Sequence, residues 1–178
     1  MRKKATFTVC LLALAFMWHI LESGALFVRT AESNEIGRFP DFTTTDLNGR
    51  TVTNDIFAES EITMVKFWTT WCRACVVEKP TLATLYNELG EGMIGILLDA
   101  DDRGAIENAR QILNNAGVTY PQLRPSREMQ ALLRSIRVIP TAIFVDSRGN
   151  IVGETIVGSR SPQAYMQAML AAREEAHE

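Results

Sequence analysis

The segment Trp71-Cys72-Arg73-Ala74-Cys75 follows directly on the apolar stretch Ile62 to Trp68, and this junction constrains the chain more than any other. An apolar run of that length reads as a buried strand, and the spacing of Leu82, Leu85 and Leu89 after it reads as a helix. The first thiol therefore stands where a strand hands over to a helix. Backbone N–H groups at that point have no intrahelical partner, and together with the helix dipole they stabilise a thiolate. Two thiols with two residues between them can close a small disulfide and open it again. Such a pair is suited to passing two electrons between disulfides.

The rest of the chain supplies a frame for this junction. Phe42 and Leu47 precede Asn48-Gly49, a hairpin turn signal, and Val52 follows it. Gly90 and Gly92 end the helix after the cysteines, and Pro80 should kink it. Met93 to Leu98 reads as a second buried strand. Ile106, Ala109, Leu113 and Ala116 line one helical face, with Gly117 as its stop. Ser126 is placed to cap a short helix carrying Met129, Leu132 and Leu133. Thr141 to Val145 and Ile151 to Val157 read as strands joined by Ser147-Arg148-Gly149-Asn150. Ser161-Pro162 opens the last helix, which should run to about Arg173. Strands alternating with helices imply an α/β class with helices on both faces of a sheet. A reactive site after the first core strand would lie at the sheet's carboxyl end, where such folds bind ligands.

The 178 residues suit one domain with a sizeable core. Net charge is −3, unevenly spread. Residues 1–33 hold four of the 18 Lys/Arg and two of the 21 Asp/Glu, which leaves a balance of −5 on the remainder. A mildly acidic body gives no support for nucleic-acid binding. Residues 1–28 read as an N-terminal signal or membrane anchor: Arg2, Lys3 and Lys4 precede an apolar run from Thr6 to Leu21. Ser23-Gly24-Ala25 would serve for cleavage, and continuation through Val28 would give a length near the roughly 20 residues of a spanning helix. The basic start predicts the N-terminus inside and the body outside. Residues 29–36 are a polar linker, and 37–178 form the globular domain.

The cysteine pair has alternatives. A structural zinc site needs four ligands, and only Cys10, His19 and His177 remain, two in the leader and one at the C-terminus. A purely structural disulfide closing so short a loop removes little unfolded-state entropy. A Cys–His hydrolase lacks a His in the globular core. No glycine-rich phosphate loop, dinucleotide fingerprint or His-Glu metal motif is present, so no cofactor or metal is expected. Redox chemistry of Cys72 and Cys75 is the favoured reading.

Phe67-Trp68-Thr69-Thr70-Trp71-Cys72-Arg73-Ala74-Cys75 resembles the active-site segment of the thioredoxin superfamily, and Val138-Ile139-Pro140-Thr141 resembles its cis-proline signature. The hairpin, extra length at about 101–125, the leader and Cys75-x-x-Glu78-x-Pro80 narrow the resemblance. They point to the TlpA/ResA-like extracytoplasmic thiol–disulfide oxidoreductases. The resemblance implies a thioredoxin-like fold, with a central mixed sheet flanked by helices, an N-terminal hairpin and a helical insert. It implies that Cys72 attacks a partner's disulfide, that Cys75 resolves the mixed disulfide, and that Trp71 shapes the docking surface. Ile139, before a cis Pro140, would pair its backbone with an extended partner peptide. Glu78 would take up or relay the proton that Cys75 loses; a solvated surface Glu is the alternative. The implied partners are disulfide-containing extracytoplasmic proteins, apocytochrome c thiols among the candidate targets (cytochrome c maturation), and a membrane dithiol electron donor. The domain would sit outside the cell membrane, or be secreted or periplasmic if the leader is cleaved. Two other functions stay open: a peptide-binding module with a static disulfide, and a peroxiredoxin-like peroxide reductase. The latter needs a Thr and an Arg around one cysteine, a pattern Thr69-Thr70 does not reproduce.

Lys66 departs from the family, which carries Asp or Asn there. A cation below the site would favour thiolates. The alternative, slightly preferred from sequence, is that Lys66 faces the other side of the sheet and snorkels to water. Arg73 is a second cation beside Cys72. Cys72 is expected to titrate well below the roughly 8.5 of a free thiol. Iodoacetamide alkylation rates followed across pH check this, and a midpoint near that free-thiol value rejects it.

Overall fold

The computed structural model of the chain describes residues 37–90 and 92–178. The leader (1–28), the linker (29–36) and Cys10 lie outside the described residues. No helix among the described residues is long and apolar enough to cross a membrane.

The strand expected before the cysteines is β3 (Ile62–Trp68), and every one of its residues is buried. Its continuous apolar character has a direct cause, because β3 is the middle strand of five among the described residues. The sheet order is β5 (Gln122–Leu123), β4 (Met93–Leu97), β3, β6 (Thr141–Asp146), β7 (Ile151–Val157). β4 runs parallel to β3 and β5 parallel to β4, whereas β6 is antiparallel to both β3 and β7. The sheet is therefore mixed, and strands buried on both faces need apolar residues throughout.

The N-terminal hairpin is present as β1 (Thr43–Thr45) and β2 (Thr51–Thr53). Its turn is closed by Asp46, whose carboxylate accepts from the Asn48 and Arg50 amides at 2.8 and 2.9 Å. Asp146 closes the β6–β7 turn in the same way, accepting from the Arg148 and Asn150 amides at 2.9 and 2.8 Å. Burial alone would raise both carboxyls. The converging amides and guanidinium groups outweigh it and hold both below the usual carboxylate range.

Five α-helices and a 3₁₀ helix (Asn54–Glu59) flank the sheet among the described residues, the α-helices being α1 (Arg73–Val77), α2 (Lys79–Leu89), α3 (Arg103–Asn115), α4 (Gln130–Ser135) and α5 (Pro162–Ala176). On one face Ile62, Met64 and Phe144 pack against Leu82 and Leu85 of α2 and Tyr165 and Met169 of α5. On the other, Val65, Phe67 and Val145 pack against Phe39, Phe42, Phe57 and Leu132 of α4. A third cluster at the carboxyl end of β3 joins Trp68, Cys72 and Cys75 to Leu97, Ala109 and Leu113. α3 and β5 form the insert expected near 101–125.

Three local expectations change. The helix after the cysteines breaks at Glu78, two residues before Pro80, so that the proline falls in the first turn of α2 where its missing N–H is harmless. Ser126 does not cap α4. A turn closed by the Gln130 amide on Arg127 O intervenes, and Met129 takes the cap position. The last helix continues past Arg173 to Ala176. The short edge strand β5 had no sequence signal, being only two residues long. Gly95 of β4 leaves room for its neighbour there: an added Cβ would stand 2.1 Å from Gln122 Oε1. That oxygen accepts from the Trp68 indole N–H at 3.0 Å, so β5 fixes the last side chain of β3.

Candidate active site

Cys72 is the N-cap of α1, in extended conformation, and its Sγ accepts a hydrogen bond from the Cys75 amide at 3.2 Å. The two sulfurs are joined in a disulfide, with the Cα atoms 5.2 Å apart. Cys72 is 8 % exposed and Cys75 is fully buried, so Cys72 is the one a partner can reach. The loop before them is fixed by Thr70, whose amide and hydroxyl both donate to the Asp99 carboxylate at 3.1 and 2.6 Å. Trp71 is 73 % exposed, so it is not a core aromatic. The Arg73 side chain is exposed as well.

The second signature meets the first in space. Ile139 packs against the cluster that holds both cysteines, and the Ile139–Pro140 peptide is cis. The loop after β7 ties the two together. The Gly158 amide donates to Pro140 O at 2.7 Å, and the Ser159 hydroxyl donates to Ala74 O at 3.4 Å. Gly158 adopts a φ of 83°, a backbone shape that favours glycine. Beside Pro140 lies an apolar groove of about 350 Å³ lined by Ile136, Val138, Thr141, Ile143 and Val157.

Beneath the disulfide the chain buries charge. Glu78 is buried, which excludes the solvated alternative. Lys66 does not snorkel to water. The alternation of β3 puts it on the face of Met64, under α2 and α5, and it is completely buried. Its Nζ lies 3.0 Å from Glu78 Oε1 and donates to Tyr165 Oη at 2.8 Å. Tyr165 in turn donates to Glu78 Oε2 at 2.9 Å, and the Arg160 amide donates to Tyr165 Oη at 3.2 Å. The ammonium therefore finds its partners inside, and no path to solvent is needed. Burial lowers the Lys66 pKa, and the Glu78 carboxylate opposes that shift. The Tyr165 hydroxyl is raised, first by burial and then by the carboxylate.

Sequence reasoning missed Tyr165 and Lys79. Lys79 is 1 % exposed, and its Nζ sits 3.7 Å above the Trp68 ring and 5.9 Å from that of Tyr120. A usable signal existed for Lys79: it stands with Cys75 and Leu82 at i, i+4 and i+7, one apolar stripe. Burial pushes its ammonium down to about 7, with Glu78 pulling up and Lys66 pushing down.

The AhpC/TSA family profile matches residues 37–153, most of the described domain. The chain belongs to the AhpC/TSA family. Among its relatives, a protein named thiol-disulfide oxidoreductase ResA from Bacillus anthracis is 29% identical over 141 residues, covering 77% of this chain and 78% of the relative. A ResA of the same name from Geobacillus thermodenitrificans is 24% identical over 128 residues, 72% of each chain. A thiol:disulfide interchange protein of the thioredoxin family from Chlorobium tepidum superposes with a TM-score of 0.64 at 22% identity, covering 76% of this chain and 95% of that one. StoA from Bacillus subtilis gives 0.59 at 18%, covering 74% and 97%. These structural likenesses establish a thioredoxin-like fold for this AhpC/TSA member.

The buried lysines set a pH signature. Lys79 has a folded pKa of about 7, below its unfolded value, so between about 7 and about 10 the unfolded chain binds more protons than the folded one, and the lowered Lys66 acts in the same sense. Stability of the oxidised protein should then rise with pH across that window, by up to about 1.4 kcal/mol per pH unit for each proton of difference. Above about 10 the raised pKa values of Tyr120 and Tyr165 reverse the trend. Urea unfolding at a series of pH values measures it; stability that is flat or falling from pH 7 to 9 rejects burial of the Lys79 ammonium.

Proposed function

We propose that this chain is a thiol–disulfide oxidoreductase that works as a disulfide reductase on extracytoplasmic proteins. The observation that carries the reading is the Cys72–Cys75 bond at the head of α1, with the Cys75 amide on Cys72 Sγ and Ile139 packed against the pair. The similarity to relatives named thiol-disulfide oxidoreductase supports the same class.

In the working direction Cys72 attacks, as thiolate, one sulfur of a partner's disulfide. A Cys72–partner bond forms, the partner's S–S bond breaks, and its second sulfur leaves as a thiolate that takes a proton. Cys75 then loses its proton and attacks Cys72 Sγ. The internal disulfide closes, the mixed disulfide breaks, and the partner departs with two electrons. In this reading Glu78, three residues on from Cys75 and buried, accepts or relays that proton. Its carboxylate disfavours a nearby thiolate, which makes the reduced pair the better electron donor. Arg73 acts on Cys72 in the opposite sense. Trp71 and Val138, both exposed, and the groove beside Pro140 give the partner chain an apolar seat, with the Ile139 backbone pairing alongside. The electrons come from a membrane dithiol carrier. The basic start and apolar run of residues 1–28 support export or tethering of the domain outside the membrane.

Insulin reduction driven by dithiothreitol tests the activity. The parent should turn over and Cys72→Ser should not. A parent without turnover makes the chain a binding module, and consumption of hydrogen peroxide in place of insulin makes it a peroxide reductase. The reduction potential tests the direction: about −270 mV or lower agrees with a reductase, and about −120 mV makes the protein an oxidase.

A further inference from the structure

Lys79 has no part in the exchange described above, yet it is the most costly side chain in the site. Its Nζ has no hydrogen-bond partner among the described residues. Burying an ammonium without a counter-charge is strongly unfavourable, and the indole face of Trp68 offsets only part of that. The groups around it are accounted for on every side. On β3, Lys66 is paired and Trp68 donates its N–H to Gln122. At the α1–α2 junction, both Glu78 oxygens are taken, one by Lys66 and one by Tyr165. Before β5, Tyr120 offers a ring and a neutral hydroxyl. From α5, Tyr165 brings a hydroxyl already engaged with Glu78. The oxidised site therefore holds one cation too many. An anion is available four residues before Lys79, at the sulfur of Cys75, which packs in the same cluster as Trp68, the residue whose ring lies under the Lys79 ammonium.

We propose that Lys79 is the counter-ion of the Cys75 thiolate, taking up a proton when the disulfide is reduced and releasing it when the disulfide re-forms. The step balances. Reduced, Cys72 and Cys75 share one proton and one negative charge, which Lys79–NH₃⁺ balances; oxidised, the pair is the Cys72–Cys75 disulfide beside Lys79–NH₂, and two protons have been released. The two electrons go to the partner disulfide, whose sulfurs take up two protons. Lys79 is a positioning residue here: it sets the charge state of the resolving thiol and touches no substrate. Titration of its ammonium near neutrality in the oxidised protein gives the device its working range. The idea rests on the pair being redox-active but on neither a partner nor a direction.

The test is NMR titration of the Lys79 side chain (¹³Cε, ¹⁵Nζ) in the full chain, oxidised and then reduced with tris(2-carboxyethyl)phosphine. The signal is assigned by its loss in Lys79→Met. The expected result is a midpoint higher by about one unit or more in the reduced protein, the shift an opposite charge at close range produces. Equal midpoints in the two states overturn the proposal. A second measurement needs no lysine signal: the Cys75 thiol is titrated in Cys72→Ser with and without Lys79→Met. Its pKa should rise by about one unit or more when the lysine is lost. An unchanged value also overturns it. Methionine in place of an unpaired buried amine should fold at least as stably as the parent. Chemical reduction does not depend on insulin turnover, so failure of the coupling and failure of the reductase reading are told apart.

Discussion

A lysine in the middle of the central strand can be buried only if its charge is met inside the protein, and that requirement organises the site. Lys66 of β3 binds Glu78 at the α1–α2 junction, and Tyr165 of α5 closes the triangle. β3, the α1–α2 junction and, 87 residues beyond it, α5 are thereby locked together on one side of the sheet. Removing one member of such a buried pair typically costs about 3–5 kcal/mol, because the other charge is left alone. Replacing the whole set by apolar residues of similar volume is often neutral or better. The network is therefore poorly explained as a stability device and well explained as one that sets charge beneath a reactive disulfide.

That charge has two signs. The Glu78 carboxylate weakens a thiolate and favours giving electrons away. The Lys79 ammonium strengthens a thiolate and favours keeping them. Lys66 cancels most of the first effect, and burial keeps the second close to the point of switching off. The redox poise of the pair is then a small difference between opposed groups. This accounts for why the Arg-Ala spacer between the cysteines does not by itself disclose the direction of transfer.

Much of this architecture is legible in the residues. β3 is readable to its ends because a doubly buried strand must be apolar throughout. The two hairpin turns are readable because Asn48-Gly49 and Arg148-Gly149-Asn150 meet the geometry of tight turns. Cys72 and Cys75 announce themselves by spacing. What was not legible depended on long-range pairing. The sequence shows Lys66 and Glu78 as two charges and does not show that β3 and the α1–α2 junction meet. Tyr165 sits on the apolar stripe it shares with Met169 and Ala172, so its burial could be read, but its partner 87 residues away could not. Lys79 was hidden by a general expectation that lysines on helices face water, although its place between Cys75 and Leu82 argued otherwise. Ser126 misled because a capping residue before an apolar run is only a local preference, and a turn can intervene.

The central claim is that Cys72 makes the first bond to a partner's sulfur and Cys75 breaks it. The direct measurement is covalent trapping with Cys75→Ser in the full chain, followed by non-reducing separation and mass spectrometry of the linked species. The account predicts stable mixed disulfides through Cys72 that dithiothreitol releases and that disappear in Cys72→Ser/Cys75→Ser. Adducts carried instead by Cys75 in the Cys72→Ser chain, with none through Cys72, would contradict it.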